Sequence, residues 1–150
     1  MTDFVIPADH VEENVRDIGF APAFEVELEL DGPHVSTTPH GDRQFSRITG
    51  GTVSGKISGT VYPHGGGMFD LQRDDGTTDL KAHIMLKDER GEWLYISNIG
   101  FAREDGYYRT TSWVDADVRG RHTWVAQKFF VGIGRQNDKG GITIAYHEVL

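Results

Sequence analysis

Thr52-Val53-Ser54-Gly55-Lys56-Ile57-Ser58-Gly59-Thr60-Val61-Tyr62 sets Val53, Gly55, Ile57, Gly59 and Val61 against an interleaved polar set ending in a tyrosine. Successive side chains of a β-strand point to opposite faces, so this period of two predicts a strand with one aliphatic or bare face. Glycine at alternate inner positions indicates a backbone that curves tightly or is closely approached. Such a strand suits a sheet that closes on itself better than a flat one.

The pattern recurs outward from there. Phe24, Val26, Leu28 and Leu30 alternate with Glu25, Glu27, Glu29 and Asp31, and Asp31-Gly32-Pro33 reads as a turn. Leu80, Ala82, Ile84 and Leu86 alternate with Asp79, Lys81, His83, Met85 and Lys87. Further strands are predicted at Arg43 to Thr49, Met68 to Arg73, Glu92 to Phe101, Tyr107 to Val114, His122 to Ile133 and Gly141 to Val149. About eight or nine antiparallel strands at this spacing make an all-β sandwich or barrel. The expected fold is a single closed antiparallel β-barrel over residues 23–150. Residues 1–22 are expected to form an N-terminal helical extension, with capping-box spacing from Asp9 to Glu12, Val11, Val15 and Ile18 at helical intervals, and Gly19 as its stop.

At 150 residues the chain is long enough to bury its own core. It contains no cysteine, which removes disulfides, thiolate nucleophiles and cysteine-based metal or cluster sites, and fits a reducing compartment. Asp3, Asp9, Glu12, Glu13 and Asp17 interrupt any apolar run near the start, so neither a signal peptide nor a membrane span is expected and the reading is cytoplasmic. A net charge of −8 argues against nucleic acid and against an anionic membrane surface.

Several motifs fail on context. Gly50-Gly51-Thr52-Val53-Ser54-Gly55-Lys56 resembles a phosphate loop, yet Ile57 follows the lysine and a strand follows where a helix is required. His64-Gly65-Gly66-Gly67 resembles an oxyanion-hole segment, but no Gly-x-Ser-x-Gly elbow supplies a nucleophile. The seven histidines show no ligand spacing, so no metal and no cofactor is expected. His83 is the favoured proton carrier because imidazole titrates near neutrality; the alternative is that its strand face, which also bears Lys81 and Lys87, is the solvated outside. Tyrosine and tryptophan need partners for their polar ends when buried, so Phe69, Tyr95, Tyr108, Trp113 and Trp124 could wall an apolar pocket with a few hydrogen-bonding points.

From Gly41 to Val149 the chain resembles the family of small β-barrel proteins called domain of unknown function 3237. The resemblance is carried by Arg47-Ile48-Thr49-Gly50-Gly51-Thr52-Val53-Ser54-Gly55, Asn98-Ile99-Gly100, Tyr108-Arg109-Thr110-Thr111, Trp124 and Phe130-Val131-Gly132-Ile133-Gly134. It implies a calycin-like or allene-oxide-cyclase-like barrel and no established activity. Three departures stand out. Gly66-Gly67-Met68-Phe69 replaces the family's Gly-x-Asp-Trp, Lys81-Ala82-His83 replaces its Asp-x-Arg, and Ala126 replaces the Asn that follows its Trp.

The expected function is binding of a hydrophobic, oxygen-bearing small molecule (aromatic, terpenoid or polyketide-like) and its conversion by a cofactor-independent isomerase, cyclase or lyase. His83 would be the acid or base, with Lys81 and Arg109 steadying an oxyanion. Tyr95, Tyr108, Trp124, Phe69, Met68 and Trp113 would form the wall. The alternatives are a non-catalytic carrier or sensor, and a structural module with a filled barrel. A homodimer is expected because small proteins so often pair.

Overall fold

The computed structural model describes residues 18–150; the expected N-terminal helix lies outside the described residues. Nine strands follow one another: β1 (Phe20–Thr38), β2 (Gly41–Gly55), β3 (Gly59–Val61), β4 (Gly67–Gln72), β5 (Thr78–Asp88), β6 (Trp93–Ala102), β7 (Tyr108–Ala116), β8 (Phe130–Gln136) and β9 (Ile142–Val149). A short 3-10 helix, Thr123–Gln127, precedes β8. All pairings are antiparallel. From β5 to β9 each strand pairs with the next, β9 pairs with β1, and β1 pairs with β2. β2 is joined to β5 through β3 at one end and β4 at the other, so the sheet closes into a ring.

Three local expectations are corrected. Residues 52–62 are a tight hairpin and not one strand: Thr52 pairs with Thr60 and Val53 with Gly59. β2 ends where Gly55 meets Phe24, and the next N–H, that of Lys56, goes to the Ala23 carbonyl. The chain then turns through Ile57, which is fully buried. The close approach read from the glycines is present, because a Cβ on Gly59 would stand 2.1 Å from the Lys87 carbonyl oxygen. Asp31-Gly32-Pro33 does not reverse the chain. β1 absorbs these residues as a register shift against β2 and continues to Thr38. The expected strand from His122 to Ile133 is split, its first half forming the 3-10 helix.

The inner face is apolar through most of its height. Val26, Leu28, Ile84, Leu86, Leu94, Ile96 and Ile144 are almost wholly buried and fill the lumen. Val125 from the 3-10 helix, Ile57 and Phe130 close the end where β7 finishes. The container expected from the sequence is thus filled by aliphatic side chains through much of its height, and a cavity lies at the opposite mouth. This core predicts that Gly59→Ala, which forces a methyl group against backbone, destabilises the fold by about 3 kcal/mol, at the upper end for overpacking. A urea denaturation midpoint that falls accordingly is the expected result.

Candidate functional site

The mouth exists because β1 parts from β9. Their pairing stops at Leu28 opposite Ile142, while β1 runs on beside β2 for ten more residues. Between that arm and the turn joining β8 to β9 lies a cavity of about 320 Å³, lined by Leu30, Pro33, Gln44, Met68, Asp70, Gln136 and Ile142 among others. The lining is half polar in character, with glutamine amides and one carboxyl set among aliphatic groups.

Among the described residues, Asp70 is the only ionisable group of this lining. On β4 the buried Met68 points into the ring, so the period of two turns Asp70 and Gln72 inward as well. The β4–β5 ladder pairs Met68 with Ala82 and resumes at Leu71 with Asp79. In that gap the Asp70 carboxylate accepts the Lys81 backbone N–H at 3.3 Å. Burial raises its pKa from 3.8 to about 6, and the Lys81 hydrogen bond only partly offsets this. A carboxyl of this kind exchanges its proton near neutrality, which suits acid–base work.

Tyr108 stands close by on the inner face of β7. Its ring lies against Gly134, where any Cβ would meet ring carbons at 2.2 Å. Burial pushes the phenol well above its ordinary range and the charge on Asp70 pushes it further, so it stays a neutral hydrogen-bond donor. Beneath it a closed polar network crosses the lumen. Ser112 donates to Asn98 Oδ1 at 2.7 Å, Asn98 Nδ2 donates to the Tyr146 hydroxyl at 2.8 Å, and the Thr110 and Ser112 hydroxyls lie 3.3 Å apart. These groups satisfy one another within the lumen.

A second polar cluster sits at the closed end. Asp88, Glu92 and His122 bring three possible ligand atoms within 4.8 Å of one another. The Asp88 carboxylate, however, already accepts hydrogen bonds from Arg121 at 2.6 Å, His122 Nε2 at 2.8 Å and the N–H groups of Arg90 and Glu92. Burial works against its charge, yet these donors outweigh burial and hold the pKa at about 2. The cluster is a clamp tying β5 to the segment before the 3-10 helix.

The residues singled out from the sequence separate into three places. His83, Lys81 and Arg109 lie on the outer face, not in the lumen. Leu80, Ala82 and Ile84 occupy the inner positions of their strand, so the proton-carrier and oxyanion roles expected for His83, Lys81 and Arg109 toward an enclosed ligand are corrected. His83 stacks on Tyr95, also outward, and its Nδ1 shares a hydrogen bond with the Tyr95 hydroxyl. Arg109 donates to the Tyr108 carbonyl at 2.9 Å and lies over the Tyr107 ring. Phe69 and Trp113 are outward, at 45% and 64% exposure, so neither they nor Tyr95 wall the cavity. Trp124 packs against Phe130 at the closed end. Of the residues singled out, Met68 and Tyr108 face inward near the mouth, and Met68 lines the cavity.

Asp70, Gln44 and Gln136 were not singled out from the sequence. A signal was present, because Asp70 is in phase with Met68. It was masked by Phe69 and Leu71, which make the solvent-facing side of β4 the more apolar one.

Fold and site together define a barrel-like antiparallel ring with one sealed end and one polar-lined mouth. The chain belongs to the family described as Protein of unknown function (DUF3237), whose model matches residues 18–106. No curated protein matches it. Among solved structures, it is similar to a conserved protein of unknown function from Rhodopseudomonas palustris, with 24% identity, TM-score 0.81, and 91% of this chain and 100% of that one covered. A beta-barrel-like protein from Acinetobacter baumannii shares 18% identity at TM-score 0.79, covering 91% and 99%. An enzyme from Penicillium herquei shares 16% identity at TM-score 0.75, covering 91% and 98%. At these identities the likeness establishes the fold. No helix among the described residues is long and apolar enough to cross a membrane.

The raised Asp70 pKa has a stability consequence of definite sign. The folded state holds this proton more tightly than the unfolded chain, so Asp70 contributes nothing adverse below about pH 4. Stability is lost as pH rises through about 6. Asp70→Asn removes this loss. Relative to the variant, the wild type is expected to lose roughly 2–3 kcal/mol between acid and neutral pH, measured by denaturant unfolding across that range.

Proposed function

We propose that the ring is a small β-barrel whose mouth binds a hydrophobic, oxygen-bearing molecule, and that Asp70 moves a proton on it without a cofactor. The observation that carries this reading is the half-buried Asp70 carboxyl, with its pKa about 6, in the wall of a cavity of about 320 Å³. That volume lies at the lower end for small-molecule sites and fits a molecule of one or two rings. Aliphatic contact comes from Leu30, Met68 and Ile142, and orientation from Gln44 and Gln136. As carboxylate, Asp70 takes a proton from a carbon beside a carbonyl, or from a hydroxyl. As acid it returns that proton to another atom of the same molecule, which is an isomerisation or cyclisation with no net change in atoms. The side-chain amides of Gln44 and Gln136 are the neutral donors of the lining available to the oxygen that gains charge. The similarity to an enzyme of Penicillium herquei is consistent with chemistry on this scaffold.

One observation favours a carrier instead. Among the described residues no cation lines the cavity to stabilise an enolate, so binding without conversion is the second reading. In both readings we propose a cytoplasmic homodimer, because small proteins so often pair.

Deuterium exchange separates the two readings. In heavy water, 2-tetralone is expected to stabilise the protein against heat and to exchange its α-hydrogens faster with wild type than with Asp70→Asn. Binding without faster exchange would leave the carrier. Binding that survives Met68→Trp, which fills the cavity, would show that the mouth is not the site.

A further inference from the structure

We propose that the mouth selects by charge: it accepts an uncharged ligand that offers a hydroxyl hydrogen to Asp70, and rejects carboxylates and phosphates. This rests on the reading of the mouth as a small-molecule site. The argument comes from the whole inner face. Among the described residues, from Leu30 on β1 through Gln44 and Ser46, Met68 and Asp70, Leu80 and Ala82, Asn98, Tyr108, Thr110 and Ser112, Gly134 and Gln136, to Ile142 and Ile144, no inward position carries lysine, arginine or histidine.

Several cations around the outside of the mouth are engaged with carboxylates, while Arg43 and Lys81 point outward to solvent, away from the cavity. Arg73 pairs with Asp75 at 3.0 Å and with Asp79 at 3.4 Å, Arg47 with Asp31 at 3.3 Å, Arg135 with Glu25 at 3.3 Å and Lys139 with Glu27 at 3.8 Å. An anionic ligand would therefore give up its water for a site whose one formal charge is negative, in a protein of net charge −8.

A hydroxyl meets the opposite situation. The Asp70 carboxylate is acceptor-only and has one protein hydrogen bond, from the Lys81 N–H, which leaves lone pairs directed to the cavity. An O–H donated to it forms a charge-assisted bond, stronger than a neutral one. The ligand oxygen keeps its own lone pairs for the amide donors of Gln44 or Gln136. An ammonium is attracted to Asp70 too. It must, however, bring three donors into a half-apolar cavity that offers one carboxylate, and it loses more hydration in doing so. The uncharged hydroxyl is the ligand group whose needs this lining meets.

Three probes on one skeleton test the inference: 1-naphthalenemethanol, 1-naphthoate and 1-naphthylmethylammonium, titrated calorimetrically at about pH 8, where Asp70 is ionised. The alcohol is expected to bind at least about ten-fold more tightly than the carboxylate. Asp70→Asn, which removes the fixed charge and keeps the shape, is expected to shrink that ratio to about three-fold or less. Carboxylate binding equal to the alcohol's, or a ratio unchanged in Asp70→Asn, overturns the inference while leaving the mouth as the site. An ammonium that outbinds the alcohol about ten-fold also overturns it. If none of the probes binds, or if binding persists in Met68→Trp, the site reading fails together with the inference.

Discussion

The structure depends on five residues that are hydrogen-bonded from both sides. Phe24, Glu25, Val26, Glu27 and Leu28 of β1 pair with Tyr146 to Ile142 on one edge and with Gly55 to Gly51 on the other. This double pairing joins the last strand to the second and turns an open meander into a ring with no free edge at that level. Once the ring is closed, half of every strand must point inward. The lumen is narrow enough that branched aliphatic side chains fill it. A cavity can then exist only where double pairing ends, beyond Leu28, as β1 follows β2 and leaves β9. Function, on this account, sits at the seam where closure stops.

The seam also explains the chemistry available there. Deep in the ring, polar groups are tolerated because they satisfy one another, as Asn98, Ser112 and Tyr146 do. At the mouth, Asp70 lies outside the regular β4–β5 ladder with one backbone donor. It is buried enough to hold its proton to near neutrality and open enough to exchange it. The closed end shows the contrast: Asp88 has four donors, stays ionised and holds elements together.

Much of the ring was legible in the sequence. The alternation of Phe24 to Leu30 and of Leu80 to Leu86 gave the strands and their inward faces, since aliphatic groups on one face and Glu or Lys on the other leave one arrangement. Turns were less legible. Asp31-Gly32-Pro33 has turn composition, yet it became a bulge because β1 had a partner in β2 on both sides of it. The stretch from Thr52 to Tyr62 kept its phase through a reversal, so its period alone could not reveal the hairpin. The candidate site was hardest to read, because Phe69 and Leu71 out-compete Met68 and Asp70 in apolar character while facing solvent. His83 drew attention through its chemistry, although Lys81 beside it already spoke for an exposed face. The resemblance to the family suggested an acid lost at Met68. The structure shows an acid two residues on, at Asp70, in the same phase and one pleat closer to the mouth.

The most direct test of this account is the ionisation of Asp70 itself, followed by the carboxyl carbon-13 chemical shift of labelled protein as pH is varied. A carboxyl that loses its proton at about pH 6, and whose midpoint moves when a ligand occupies the mouth, is the predicted result. A midpoint near that of an ordinary aspartate, about 4, would mean that water reaches the group freely, and would contradict the buried, proton-holding mouth on which the rest is built.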